Sequence, residues 1–426
     1  MWLLRASKNL AKQAARWGFS IASIVSMFAV PCGQAVAAGG DPHKPAAAVQ
    51  VLGTARLFSN TDEHVTTASP LAEGGFVAAS VVRRGGMFAY KIAGDGTQVW
   101  RTPLRDSLWA RSSGMTGDGN YWFAGAVGNP PLDTVQTVSK QGAMLERHVL
   151  AHTVADSRLF ACAFALAHKF LQVSQVELDQ YQRIPTSSVS MTSEDGTRDW
   201  EALTPFDKQI RIAPIPQESS FCAGTFATKD ERILAAQRML VWPPTQSIEG
   251  VKQEWSSGTR ERLGTLVEAF DLNGHEIARL RDDDTKGGLL LAGPSGAVLI
   301  ESSYLKPGLT STAPVDHLVH IRWLNSGLKD VAAPLNVPDG LYDVINAAML
   351  TPRGSLVLIG CSGETVRIFV RYISSNRSIS AKKELPELGY CEGSYWLAAA
   401  AQPNSILLLS EAPGVGTFLT TLHIAE

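Results

Sequence analysis

A basic surplus, paired cysteine motifs and a membrane-length apolar run are all missing from this chain. Its 426 residues carry 38 basic against 40 acidic side chains, so it lacks the positive footprint that nucleic acid or an anionic membrane surface requires. Its five cysteines, Cys32, Cys162, Cys222, Cys361 and Cys391, include no CxxC spacing, which argues against a zinc site or a redox pair. No HExxH, GxSxG or phosphate-loop string occurs, so the local signatures of metalloprotease, hydrolase and nucleotide chemistry are absent. The apolar stretch from Gly18 to Val30 stops at Pro31 and is shorter than the ~20 residues that cross a bilayer. No stable membrane insertion is expected.

That stretch has another reading. Arg5, Lys8, Lys12 and Arg16 precede it, and Ala35-Val36-Ala37 follows with small residues at the two positions a signal peptidase reads. Residues 1–37 are therefore expected to be an export signal, 38–47 a linker and 48–426 the folded part, in the periplasm or secreted. Val30 and Pro31 are poor lipobox residues before Cys32, which argues against a lipid anchor. Without the signal the chain keeps 34 basic and 40 acidic residues, a net charge of about −6. Four cysteines remain, and an even number in an exported chain favours disulfides.

What the chain does have is a repeated turn. Asp95-Gly96-Thr97-Gln98-Val99-Trp100 returns as Asp195-Gly196-Thr197-Arg198-Asp199-Trp200, and Asp-Gly between alternating apolar runs is a strong hairpin signal. Weaker relatives are Ser139-Lys140-Gln141-Gly142, Leu272-Asn273-Gly274, Asn325-Ser326-Gly327 and Ser374-Ser375-Asn376. Their spacing, about 46 to 54 residues except for one gap of about 78, matches the blades of a propeller. Upstream of each lies a second hairpin, as in Val65 to Leu71, Glu73-Gly74-Gly75 and Phe76 to Val82, so each unit reads as four antiparallel strands, the outer ones of the fifth and sixth units being expected over Leu328 to Leu335 and Ile379 to Leu385. The chain is predicted to be all-β, a seven-bladed β-propeller. Its seventh unit, from Tyr395, has no outer strand, and Val49 to Phe58 is expected to supply it and close the ring.

The string Phe88-Ala89-Tyr90-Lys91-Ile92-Ala93-Gly94-Asp95-Gly96-Thr97-Gln98-Val99-Trp100-Arg101-Thr102 resembles the repeat of bacterial quinoprotein-like propellers, in which a small turn precedes a docking tryptophan. Only Trp100 and Trp200 keep that tryptophan, its equivalents being Glu146, Ile277, Val331 and Ser380, and no vicinal cysteine pair is present. The resemblance is to the repeat and implies fold more than activity. No cofactor is expected.

In such a blade the first-to-second and third-to-fourth connections share one face, made here of tight turns. The other face carries the long segments Leu178 to Ser187, Asp207 to Gln217, Pro243 to Gly264 and Lys306 to Asp316. Long loops on a rigid scaffold are where binding usually resides. Trp255 beside Arg260 and Arg262 has the composition of an interaction hot spot, with Tyr181 and Arg183 expected next door. The blander reading has Trp255 fold back to pin its own loop. Arg83 and Arg84, in the first blade's loop, are either solvated or part of an anion site. Asp282-Asp283-Asp284, expected to link the fourth and fifth blades, could supply calcium ligands, but a run of this kind is usually solvated and no metal is expected. Cys162 and Cys222 open matching stretches and should sit at equivalent inner-strand positions, giving the pairs Cys162–Cys222 and Cys361–Cys391.

The reading is an exported non-catalytic propeller that binds a protein or cell-envelope partner through its long-loop face, one form being an inhibitor or immunity-type protein. The alternatives are a periplasmic hydrolase or lyase acting on a sugar or lactone in the central channel, and a structural subunit of an envelope assembly.

Overall fold

A computed structural model divides the chain into two units, Met1–Lys44 and Pro45–Glu426. It describes residues 49–424 apart from 59–61, 84, 129–131, 151–156, 167–168, 178–184, 194, 206–221, 242–261, 294–295, 304–316, 340–342, 363–364, 389–395, 402–404 and 413–415. The first unit, and with it the expected signal and most of the linker, lies outside the described residues.

The second unit is an all-β propeller of seven blades of antiparallel strands, blades 4 and 5 sharing one seven-stranded sheet. Blade 1 is β2 (Glu63–Pro70), β3 (Phe76–Val82), β4 (Gly86–Ile92) and β5 (Gln98–Pro103). Blade 2 is β6 (Trp109–Met115), β7 (Tyr121–Val127), β8 (Leu132–Val138) and β9 (Met144–Val149), and blade 3 is β10 (Ser157–Leu166), β11 (Lys169–Glu177), β12 (Pro185–Ser193) and β13 (Arg198–Pro205). Blade 4 begins with β14 (Cys222–Ala227), β15 (Ile233–Val241) and β16 (Arg262–Phe270), and blade 5 continues with β18 (Gly296–Ser303), β19 (His317–Asn325) and β20 (Leu335–Asp339). Blade 6 is β21 (Val344–Leu350), β22 (Leu356–Cys361), β23 (Ile368–Ile373) and β24 (Lys383–Glu384); blade 7 is β25 (Trp396–Ala401), β26 (Ser405–Ala412) and β27 (Gly416–Ile424). On β27 lies β1 (Val49–Arg56), with Val49 opposite Ile424 and Arg56 opposite Phe418.

The second strand of each blade explains why the chain folds this way. Phe76-Val77-Ala78-Ala79 is fully buried on both sides, because a middle strand is covered by the blade before it and the blade after it, and such strands are apolar throughout rather than alternating. Tyr121–Ala124, Ile233–Ala236, Ala297–Ile300, Leu356–Ile359 and Ile406–Leu409 repeat the pattern, and Phe170-Leu171-Gln172-Val173 departs from it at one residue. Alternate residues of each run enter different clusters: Phe76 and Ala78 pack with Leu407 and Leu409 of blade 7, while Val77 and Ala79 pack with Tyr121 and Phe123 of blade 2. Seven such clusters fill the seven interblade gaps. The inner strands contact one another in ring order, and β25 returns to β2.

The fifth residue of every run changes character. It is Ser80, Gly125, Ser174, Gln237, Glu301, Gly360 and Ser410, all buried. Opposite this step the inner strands of blades 1, 2, 3, 4 and 6 carry a bulge, at residues 66, 111, 161, 223 and 346. The interior is thus apolar toward the tight-turn end and polar toward the other end.

Four expectations are corrected. The fourth blade's outer strand and the fifth blade's inner strand are one continuous strand, β17 (Glu276–Gly293), so Asp282, Asp283 and Asp284 lie in extended chain. Thr265 pairs with Asp282 and Leu263 with Thr285, which leaves Asp283 and Asp284 at an irregularity in the pairing. The fifth blade's outer strand, expected over Leu328 to Leu335, begins only at Leu335; Pro334 has no N–H to offer a neighbouring strand. The sixth blade's outer strand, expected over Ile379 to Leu385, shrinks to Lys383–Glu384 plus a bridge from Ile379 to Ile373, because the Ser380 hydroxyl takes the Tyr372 N–H at 2.9 Å in place of a backbone carbonyl. Finally, Cys222 stands opposite Gln237 and precedes its bulge, whereas Cys162 stands opposite Val173 and follows its own. The counterpart of Cys222 is therefore Phe160, and the two cysteines are not equivalent.

The turns themselves hold. In the Asp95-Gly96 turn the Gly96 N–H donates to the Ala93 carbonyl at 2.9 Å, and Gly142, Gly196 and Gly274 close theirs likewise. Each of these glycines has φ above +80°, where a side chain is strained. In blades 5 and 6 that position falls instead on Leu328 and Arg377, with φ of 58° and 70°, one residue beyond the expected turns.

Candidate functional site

Of the residues singled out for binding, Trp255, Arg260, Tyr181, Arg183 and Arg84 lie outside the described residues. Arg262 opens β16 opposite Val241. Arg83 is exposed, directly after β3, and its N–H donates to the Asp62 carbonyl at 3.1 Å. Cys361 ends β22 and is disulfide-bonded; Cys391 lies outside the described residues. Among the described residues no group of three His, Cys, Asp or Glu side chains forms a metal-holding arrangement.

The two docking tryptophans build the tight-turn end. Trp100, on the outer strand of blade 1, donates its indole N–H to the Lys140 carbonyl of blade 2 at 3.2 Å, and its ring lies where a Cβ on Gly142 would have to go. Trp200 does the same one pair of blades later, donating to the Leu272 carbonyl at 2.9 Å over Gly274. Between blades 5 and 6 the Arg377 guanidinium sits 4.3 Å from the Trp323 ring centre instead. These contacts draw the Gly142, Gly274 and Arg377 turns into blade-to-blade packing.

At the opposite end, which the chain reaches on entering each inner strand, the described residues form two organised clusters. The first is the crossing from blade 1 to blade 2. Arg105–Ser107 forms a single 3-10 turn in which Asp106 and Ser107 both have φ of 53°, a left-handed conformation that costs a non-glycine residue roughly 1 to 2 kcal/mol. The buried Gln136 side chain holds this turn by accepting from the Arg105 N–H and donating to the Arg105 carbonyl, both at 2.8 Å. Arg147 reaches across to Asp106 at 2.6 Å, and Leu108 is fully buried. The residue so presented is Trp109, 50% exposed at the start of an inner strand. Its backbone is pressed against Gly125, where an added Cβ would overlap the Trp109 carbonyl.

The second cluster joins blade 7 to blade 1. Glu411, nearly buried on β26, takes the Val65 N–H at 2.7 Å through one oxygen and meets His64 Nδ1 at 2.8 Å through the other. A carboxylate on Nδ1 fixes the imidazole and leaves its second nitrogen to act elsewhere; the His64 side chain is 44% exposed. Beneath it, Glu63 accepts from Tyr90 and, at 2.6 Å, from Ser80, while Arg101 Nε donates to the Tyr90 oxygen at 2.6 Å. Burial, then the Glu63 carboxylate, pushes the Tyr90 phenol up to about 12, so it serves as a donor.

A third buried carboxylate, Glu301, stands between blades 4 and 5. Burial and then the charge of Asp282 push it up to about 7, against the hydrogen bond from Thr265 and the charge of Arg322. One of its oxygens has no hydrogen-bond partner. Glu268, deeper in the gap between blades 3 and 4, is likewise raised by burial although Thr204 and Ser187 donate to it.

Sequence reading missed Trp109, His64 and Glu411. His64 and Glu411 are 347 positions apart, and only the closing of the ring brings them together. Trp109 had one visible sign, its place at the start of the run that forms the second blade's inner strand.

No protein-family model matches this chain, and no curated protein does. Solved structures of similar fold include a protein of unknown function from Dyadobacter fermentans, 12% identical, with 88% of this chain and 99% of that one covered and a TM-score of 0.44. The Dos1 propeller is 8% identical over 84% of this chain and 77% of its own, with a TM-score of 0.48. The β-propeller domain of the Trilobed protease from Pyrococcus furiosus is 9% identical over 84% and 93%, with a TM-score of 0.47. At these identities the likeness concerns fold alone.

Proposed function

We propose that this chain is an exported propeller that binds a protein or cell-envelope partner through its long-loop end without catalysing a reaction. One observation carries the reading. The described connections at one end are tight turns, three of them engaged in packing blade on blade, while the segments 178–184, 206–221, 242–261 and 304–316 all depart from the other end. Rigid scaffolds concentrate recognition where chain is free of packing duties. One specific form of this reading is an inhibitor or immunity-type protein that blocks a toxic enzyme. Trp255, Arg260, Arg262, Tyr181 and Arg183 supply the contacts in this reading, and the pairs Cys162–Cys222 and Cys361–Cys391 brace the blades. Among the described residues no helix is long and apolar enough to cross a membrane.

The test is capture of partners from envelope and secreted fractions by the signal-less protein, followed by the same experiment with Trp255→Ala. A stoichiometric protein partner whose affinity drops at least tenfold with that variant supports the reading; a partner held with unchanged affinity removes that loop from the site.

A second reading, a hydrolase or lyase acting on a sugar or lactone, draws on the His64–Glu411 pair, since an oriented imidazole is the usual general base. Turnover of a lactone or glycoside panel that is abolished by His64→Ala would replace the binding reading with this one.

A further inference from the structure

We infer that the crossing between blades 1 and 2 is a preformed docking point for an acidic segment of a protein partner, centred on Trp109 with Arg83 and Arg105 as its cations. This rests on the proposed binding function and names a site within it. Trp109 is half exposed at the start of an inner strand, and Leu108 and Ala110 on either side are fully buried, so the backbone beneath the indole is anchored while the ring stays accessible. The turn ahead of it combines two left-handed non-glycine residues with a buried glutamine that clasps Arg105 through both backbone groups. A strained segment held this firmly presents its neighbours in one geometry, and a rigid aromatic anchor lowers the entropy lost on binding.

Of the charges at this turn, Asp106 is paired with Arg147. Arg83 and Arg105 are both exposed, and no ion pair involves either among the described residues. Arg101, Arg147, Arg198, Arg279 and Arg322 all have carboxylate partners. The Leu104 N–H donates to the Met87 carbonyl, and Met87 pairs with Val81, so Arg83 and Arg105 leave β3 and β5, on either side of β4, at the same end, roughly 10 Å apart at two strand spacings. Two free guanidiniums are too few for a nucleic acid or an anionic bilayer, which need many phosphate contacts. They suit one or two carboxylates, which a guanidinium grips with two parallel hydrogen bonds, on either side of an apolar residue that covers the indole.

The experiment places a photo-crosslinking residue, p-benzoylphenylalanine, at Trp109 of the full chain, and separately at Trp255, in cells that make the protein. The expected result is a crosslink from position 109 to a partner peptide rich in Asp and Glu. Arg83→Glu and Arg105→Glu, both on exposed side chains, should each weaken partner capture at least tenfold, with circular dichroism unchanged. A crosslink from 255 with none from 109, or from 109 to a basic or neutral peptide, a lipid or a nucleic acid, overturns the acidic docking point and leaves the broader binding reading standing. No crosslink from either position overturns both.

Discussion

Glu301 is a buried carboxylate, 2% exposed, in a gap that supplies one hydroxyl and sets Asp282 nearby. Its folded pKa of about 7 lies above the ordinary 4.5, so the folded chain holds this proton where the unfolded chain has released it. Stability from this group is therefore full below about pH 4.5 and falls as pH rises through 7, by on the order of 3 kcal/mol. Glu301→Gln should leave the denaturation midpoint near that of the parent at pH 5 and raise it at pH 8; a parallel fall in both would mean that the carboxylate is ion-paired at neutral pH. Trp200 invites a second comparison at this scale. It hydrogen-bonds the next blade and packs against Phe270 at 5.9 Å between ring centres, whereas Ile277, in the matching position of blade 4, is 41% exposed. Trp200→Ala should cost about 2 to 4 kcal/mol and Ile277→Ala less than about 0.5, measured as urea midpoints. The repeated Asp-Gly-Thr and tryptophan were legible in the sequence because this docking is local to a strand and the next turn. His64 with Glu411 was not legible, because no spacing rule links the first inner strand to the last blade.

At the scale of elements, the second strands were the easiest to read, since burial on both faces demands an unbroken apolar run. The outer strands of blades 5 and 6 were the hardest. There one face is solvent, so apolar pattern carries little information, and the outcome turns on single groups: the missing N–H of Pro334 and the Ser380 hydroxyl on the Tyr372 amide. The long β17 was hidden for a related reason, since three consecutive aspartates look like a connection whether or not the backbone stays extended. The strand β1 is a further outer strand with one face toward solvent. Only Val49 of this strand is buried, within the cluster that also holds Leu422 and Ile424, whereas the inner strands β25 and β2 meet without it. Deleting residues 1–56 should therefore leave a folded ring of lower thermal midpoint with β27 as a bare edge, a form prone to pair with a second copy. Light scattering after gel filtration checks this; an unfolded product would show that β1 is needed to close the ring.

For the molecule as a whole, the division into a turn end and a loop end decides where constraint is worth most. Cys361 lies at the loop end of blade 6, and the proposed disulfide from there to Cys391 would tie blade 6 to the chain that leads into blade 7, whose inner strand β25 meets β2. Cys162 and Cys222 lie on neighbouring inner strands, with Cys222 at the level of Phe160 rather than of Cys162. A bond between them requires a Cα separation of about 4.4 to 6.8 Å. Pairing within each couple closes loops of about 30 and 60 residues, each contributing about 3 to 4 kcal/mol in the loop-entropy model. Non-reducing peptide mapping should return Cys361–Cys391 and Cys162–Cys222, and Cys391→Ser should lower the thermal midpoint more than Cys222→Ser, because the former loosens the ring where its two ends must meet. A Cys162–Cys361 peptide would require blade 3 to reach blade 6 across the channel, and finding it would refute the order of blades set out above.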